Sequence, residues 1–208
     1  MDFVPLLWGL LFFLGAYVGS SIGYISLRGY KAVGSPSLLK MGFAFILIGL
    51  SFVMKYFSRI FSTGPGTLGY MSSEFYLMAS ILQVSGLFFL ALSHFSKAMY
   101  ERKRLSLMTL IPLAGLTFTL NSISFYLIIY IMAETIYSYL RMKRRGILLV
   151  ILGLFLLALG QVLEWLTLFY PQFAPYAISS LVVDVLGLSV LVLPTVRFVN
   201  NGGMNVGP

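Results

Sequence analysis

Residues 141–171, RMKRRGILLVILGLFLLALGQVLEWLTLFYP, constrain the fold more than any other stretch of the chain. Arg141, Lys143, Arg144 and Arg145 form a basic cluster, and residues 146–160 behind it carry no charged or polar side chain. At about 1.5 Å per helical residue, residues 146–169 cover roughly 36 Å, enough to cross a hydrocarbon core of about 30 Å. The stretch therefore reads as a transmembrane helix. The cluster also gives it a direction, because short cytoplasmic loops are the ones rich in Lys and Arg: residues 141–145 are expected inside and Pro171 outside.

Composition extends that reading to the whole chain. Of 208 residues, 59 % are hydrophobic and 10 % charged, against about 25 % charged in a soluble domain. Such a chain cannot cover a water-facing surface, so it is expected as a multi-pass protein of the cell membrane. The net charge of +8 does not point to nucleic acid, since the cations fall in short loops where topology and anionic headgroups explain them.

Taken in order, the apolar runs predict an all-α bundle of seven transmembrane helices at about 3–26, 37–56, 73–94, 105–119, 123–140, 146–169 and 175–196, with a flexible tail at 197–208. The first is read as a retained helix, because no small-residue cleavage pattern follows a basic leader. Residues 105–140 are too long for one crossing, at roughly 54 Å as a helix. A reversal is expected at 117–122, where Thr, Asn and Ser replace the aliphatic run. This arrangement puts the N-terminus outside and the C-terminus in the cytoplasm, with twelve Lys and Arg inside and Lys55 and Arg59 outside. Lys55 is then expected to reach the outer headgroups. Gly15, Gly19 and Gly23 recur every four residues, a spacing that lets a second helix approach closely.

Three acids fall inside the spans, where each costs about 2.5–3.5 kcal/mol on insertion scales. Glu134 lies in the inner half, Asp184 near the midplane and Glu164 towards the outside. Tyr126, Tyr130, Glu134 and Tyr137 fall on one helical stripe, Gln161 with Glu164 on another, and Ser180 with Asp184 on a third; Tyr76, Ser80 and Gln83 share a face of the third helix. These faces are expected to meet as a polar core in the outer half. With no cation at its depth, Asp184 is expected as a neutral hydrogen-bonding group or a proton site. Lys55, Glu74 and Glu164 are further expected to meet near the outer mouth.

The candidate ligand or proton site is accordingly Glu134, Asp184, Glu164, Gln83, Gln161, Tyr126, Tyr130, Tyr137 and Ser180. The absence of Cys excludes disulfides and thiolate metal sites, and a single histidine, His94, excludes a His-rich metal or haem centre. No cofactor or metal is expected. No nucleophile elbow, zinc-protease helix, phosphate loop or dinucleotide fingerprint is present, so an enzyme is not expected. Seven helices in this orientation resemble the topology of microbial rhodopsins, but a retinal Schiff base needs a lysine in the last helix and residues 175–196 contain none.

The leading expectation is a receptor- or sensor-like protein that binds a small ligand or lipid at an intramembrane polar site and works through a cytoplasmic partner protein. A small proton-coupled transporter or channel using the staggered acids is the alternative, followed by a structural membrane subunit.

Overall fold

A computed structural model describes residues 3–62, 67–94, 116–143, 145–169 and 177–202. These form six helices: α1 Phe3–Val33, α2 Pro36–Ser62, α3 Thr67–His94, α4 Leu116–Met142, α5 Arg145–Phe169 and α6 Ala177–Gly202. All six are long and apolar enough to cross a membrane. The chain is therefore all-α, with the character of a multi-pass membrane protein.

The outer faces explain why. On α5, Leu148, Leu152, Phe155, Leu159, Val162 and Leu166 are exposed and repeat at spacings of four and three, one straight stripe along a helix. On α1, Leu6, Leu10, Phe13 and Tyr17 do the same. In water, contiguous apolar stripes of this length would drive aggregation; against lipid they cost nothing. The opposite faces carry the core, which includes Leu11, Phe45, Ile48, Leu87, Leu154 and Leu188.

Among the described residues the helices form a closed ring in which α1 touches α2, α2 touches α3, and so on to α6, which returns to α1. Two tight turns set neighbouring directions. Gly34 adopts φ 70°, its N–H donating to Tyr30 O at 2.7 Å, and Ser35 O accepts from Leu38 N–H at 3.0 Å as α2 opens on Pro36. This is a left-handed stop followed by a proline start. Lys143, at φ 50°, ends the α4 turn in the same way, with its N–H on Tyr139 O at 2.7 Å.

Several sequence expectations are corrected here. The loop expected at 27–36 shrinks to residues 34–35, because nothing in LRGYKAV before Gly34 breaks a helix. The second helix runs on to Ser62 and the third begins at Thr67, so the broad loop expected between residues 56 and 73 narrows to 63–66. Pairing holds that hairpin closed: Ser58 Oγ donates to Ser72 O at 2.8 Å and Ser72 Oγ to Ser58 O at 2.9 Å, while Phe61 stacks on Phe75 at 5.3 Å.

The reversal expected at 117–122 does not occur there. Those residues lie inside α4, where Ser122 Oγ satisfies itself on Phe118 O at 2.8 Å and Asn121 turns into the bundle. Of the helix expected at 105–119, residues 105–115 lie outside the described residues and 116–119 belong to α4. The last helix continues past Arg197 to Gly202, so the start of the expected tail is helical; residues 203–208 lie outside the description.

Directions follow from cross-helix contacts. Lys40 Nζ lies 3.5 Å from Leu92 O at one end of α2 and α3, and Ser58 meets Ser72 at the other. Tyr76, near the start of α3, meets Asn121, near the start of α4. Hence α3 and α4 run the same way, and His94 and Leu116 lie at opposite ends of the ring. Lys55 and Arg59 mark a cation-poor end; Arg28, Lys31, Arg141, Lys143 and Arg197 mark a cation-rich end.

Glycines allow a close approach between α1 and α2. Gly15 faces Phe52, Gly19 faces Gly49 and Gly23 faces Gly42, and a methyl at Gly19 would come 2.9 Å from Gly49 Cα and 3.2 Å from Phe45 O. Both neighbours are backbone atoms that cannot rotate away. Gly19→Ile is therefore expected to destabilise the protein by about 1–3 kcal/mol through overpacking. Gly146→Ala, where nothing lies within 4 Å, should leave stability unchanged or slightly raised. Thermal unfolding of the two variants in detergent checks the contrast.

Candidate functional site

Lys55 and Glu164 organise the cation-poor half of the ring. The lysine does not reach out to headgroups as expected; its stem turns inward and sets Nζ 3.1 Å from both Glu164 carboxylate oxygens. The two side chains are 11 % and 14 % exposed. The physical reason is mutual need, since a carboxylate withdrawn from water without a partner costs several kcal/mol. Glu164 collects two further donors. Tyr76 Oη–H donates at 2.7 Å to Oε1, and Gln161 Nε2, one turn earlier on α5, donates at 3.3 Å to Oε2.

A second tier positions Tyr76. Asn121 Nδ2 donates to Tyr76 Oη at 3.1 Å, which leaves the phenolic proton for Glu164. Ser80 Oγ lies 3.0 Å from Tyr76 O and 3.3 Å from Asn121 Oδ1, its one proton shared between them. Asn121 and Ser80 are fully buried. The network thus runs from α2 through α5 and α3 to α4, with Gln161 Oε1 left buried and without a hydrogen-bond partner among the described residues.

Beside it lies a cavity of about 420 Å³. Its rim includes the exposed residues Arg59, Ser62 and Ser73; Tyr76, Glu164, Ser180 and Asp184 form its polar wall, and Trp8, Phe12 and Leu181 its apolar wall. Arg59 lies over the Trp8 ring, 4.8 Å from the centroid, a cation–π contact at the mouth. Asp184 is 6 % exposed and has no hydrogen-bond partner among the described residues. Its seat is made by Gly160, where an added methyl would collide with Asp184 Oδ1. Towards the cation-rich end the centre closes with aliphatic side chains, Ile131, Leu154, Leu188 and Leu191 among them.

The residues expected from sequence divide into two groups. Glu164, Gln161, Asp184 and Ser180 come together at or beside the cavity, with Tyr76 and Ser80. Glu134 does not join them: it lies lower on α4, half-buried, with Tyr130 as its electrostatic neighbour. Tyr126 and Tyr137 are each 50 % exposed on the outside of α4. Gln83 is half-buried on α3 and outside the cavity wall. The α4 stripe does not line the cavity, because its helical face points partly away from the ring. Glu74 is exposed and does not meet Lys55 and Glu164. The expectation that Asp184 has no cation near its depth is also corrected, since Lys55 shares its cavity.

Sequence reasoning missed Asn121, read as part of a turn; of the meeting expected between Lys55, Glu74 and Glu164, Lys55 with Glu164 is found and Glu74 stays out. A carboxamide inside the long apolar stretch 105–140, which needs a protein partner if that stretch stays helical, was the available signal for Asn121. Searches against protein-family models, curated proteins and solved structures find no match. Among the described residues no group of His, Asp or Glu could hold a metal ion.

Removing one partner of the ion pair leaves the other charge buried and alone. Lys55→Met and Glu164→Gln are each expected to cost on the order of 3 kcal/mol. The double variant should lose less than the sum of the two, with a coupling energy above about 1 kcal/mol in a double-mutant cycle read by thermal unfolding.

Proposed function

We propose that the chain is a receptor- or sensor-like protein of the cell membrane whose polar cavity opens outside and binds a small ligand or lipid. The observation that carries this reading is the cavity itself, with an unpartnered buried carboxyl on its wall. Interhelical glue alone would leave such a carboxyl satisfied by the protein, which argues against a purely structural subunit. The cavity lies at the cation-poor end, and the positive-inside rule assigns that end to the outside. The parallel course of α3 and α4 supports an odd number of crossings, which we take as seven, with the N-terminus outside and the C-terminus inside. The turn at residues 34–35 is too short to hold an output domain, and on this reading a cytoplasmic partner protein carries the signal.

A proton-coupled carrier is the second reading, supported by two acids and a lysine around one cavity. The aliphatic closure below Asp184 weighs against it. Among the described residues in that half, Thr135 and Thr195 spend their hydroxyls on Ile131 O and Leu191 O, one turn back on their own helices. The described helices run unbroken through that half, and Ser26 Oγ is a buried hydroxyl there without a hydrogen-bond partner among the described residues.

The absence of Cys makes a direct test available. In sealed vesicles of known orientation, Ser62→Cys at the rim should react with a membrane-impermeant thiol reagent from outside, and Lys143→Cys from inside. Reaction of Ser62→Cys from the inner side would reverse the orientation. Proteoliposomes that collapse an imposed pH gradient, and lose this with Asp184→Asn, would replace binding by transport.

A further inference from the structure

The cavity's hydrogen-bonding inventory indicates what it can hold. Its hydroxyl donors are already spent on the protein: Ser58 on Ser72 O, Ser72 on Ser58 O, Ser62 on Arg59 O, Thr167 on Glu164 O and Ser180 on Ala177 O. Tyr76 and Lys55 donate to Glu164. What remains open on the deep wall is acceptor capacity, the two oxygens of Asp184 and the lone pairs of Ser180 and Ser58. Trp8, Phe12 and Leu181 supply apolar surface opposite. Lys55 and Arg59 balance Glu164 and Asp184 over the whole cavity when both acids are ionised, but Lys55 is paired with Glu164 and Arg59 lies over Trp8 at the mouth, which leaves Asp184 without an ion-pair partner among the described residues.

We propose that this cavity takes a small organic amine, its ammonium group seated on Asp184 and its hydrocarbon part against Trp8, Phe12 and Leu181. An ammonium brings three donors and one positive charge to a carboxyl that has neither a hydrogen-bond donor nor an ion-pair partner among the described residues. A carboxylate ligand would instead meet the unpartnered Asp184 with a like charge. A neutral alcohol would bring Asp184 one donor and no charge. Arg59 over Trp8 shows that the aromatic wall near the mouth accommodates a cation. The ammonium can belong to a free amine or to an ethanolamine lipid headgroup. This assignment rests on the ligand-binding reading of the cavity.

The test uses the full chain in phosphatidylcholine nanodiscs, with phenethylamine as probe and 2-phenylethanol and 3-phenylpropionate as neutral and anionic counterparts. Phenethylamine at about a hundredfold excess over its Kd should raise the melting temperature by about 5–10 °C. The alcohol and the acid should not, and Asp184→Asn should abolish the shift. Nanodiscs containing phosphatidylethanolamine that reproduce the shift and suppress further response to the free amine identify the headgroup as the source; an unchanged response identifies the free amine. Should Asp184→Asn fail to fold, carbodiimide coupling of phenethylamine to the wild-type chain, mapped by mass spectrometry, should mark Asp184. Coupling at other acids instead overturns the proposal. An equal shift with 3-phenylpropionate, or one that survives Asp184→Asn, overturns the amine assignment and leaves a ligand cavity standing. No shift with any compound, while the impermeant reagent reaches Ser180→Cys, overturns the amine alone; failure to reach Ser180→Cys removes the open cavity as well.

Discussion

A single ion pair spans the ring between α2 and α5. Among the described residues α2 and α5 make no backbone approach, yet Lys55 Nζ reaches across the ring to both oxygens of Glu164. In a hydrocarbon setting neither charge is tolerable alone, so the pair fixes the rotation of both helices about their axes and their relative depth. Tyr76, Gln161 and Asn121 then take the positions that this carboxylate dictates. Moving Glu164 one position along α5 would swing it about 100° round the helix and break the contact.

The two halves of the ring hold together by different means. In the glycine-rich hairpins the backbones touch: α1 and α2 at Gly19 and Gly49, α5 and α6 at Gly153 and Gly187, where an added methyl would sit 3.0 Å from Gly187 O. Close backbone approach gains dispersion contacts where lipid offers no hydrophobic drive. In the cation-poor half, long polar side chains bridge the centre, and bridging leaves space between helices. The cavity is the consequence of that change from direct packing to spanning contacts. Gly160 belongs to both regimes, since its missing side chain allows α5 to approach α6 and also leaves room for the Asp184 carboxyl.

Much of the fold was legible in the sequence because hydrocarbon permits few structures. Length and hydropathy located the helices, and the four-residue spacing of Gly15, Gly19 and Gly23 placed them on one face. Helix ends were less legible. Residues 27–33 and 57–62 are polar or aromatic enough to suggest loops, but helices extend beyond the hydrocarbon wherever no proline or left-handed glycine stops them, as Gly34 does. Asn121 and Ser122 looked like a turn because their side chains compete with the backbone in isolation. Inside the bundle Ser122 bonds to its own preceding turn, and Asn121 finds Tyr76.

The sequence by itself determined that the acids must be enclosed by protein, that Gln161 and Glu164 share a face, and that the basic residues gather at one end. These are consequences of local spacing and of what hydrocarbon excludes. Which acids meet was decided only by tertiary structure. Glu164 and Asp184 converge with Lys55, whereas Glu134 sits apart with Tyr126 and Tyr137 turned half outward. Helical periodicity gives the angle between residues on one helix, but it carries no information on which way that helix is rotated against its neighbours. The rotation comes from contacts far apart in the chain, of which Lys55 with Glu164 is the strongest.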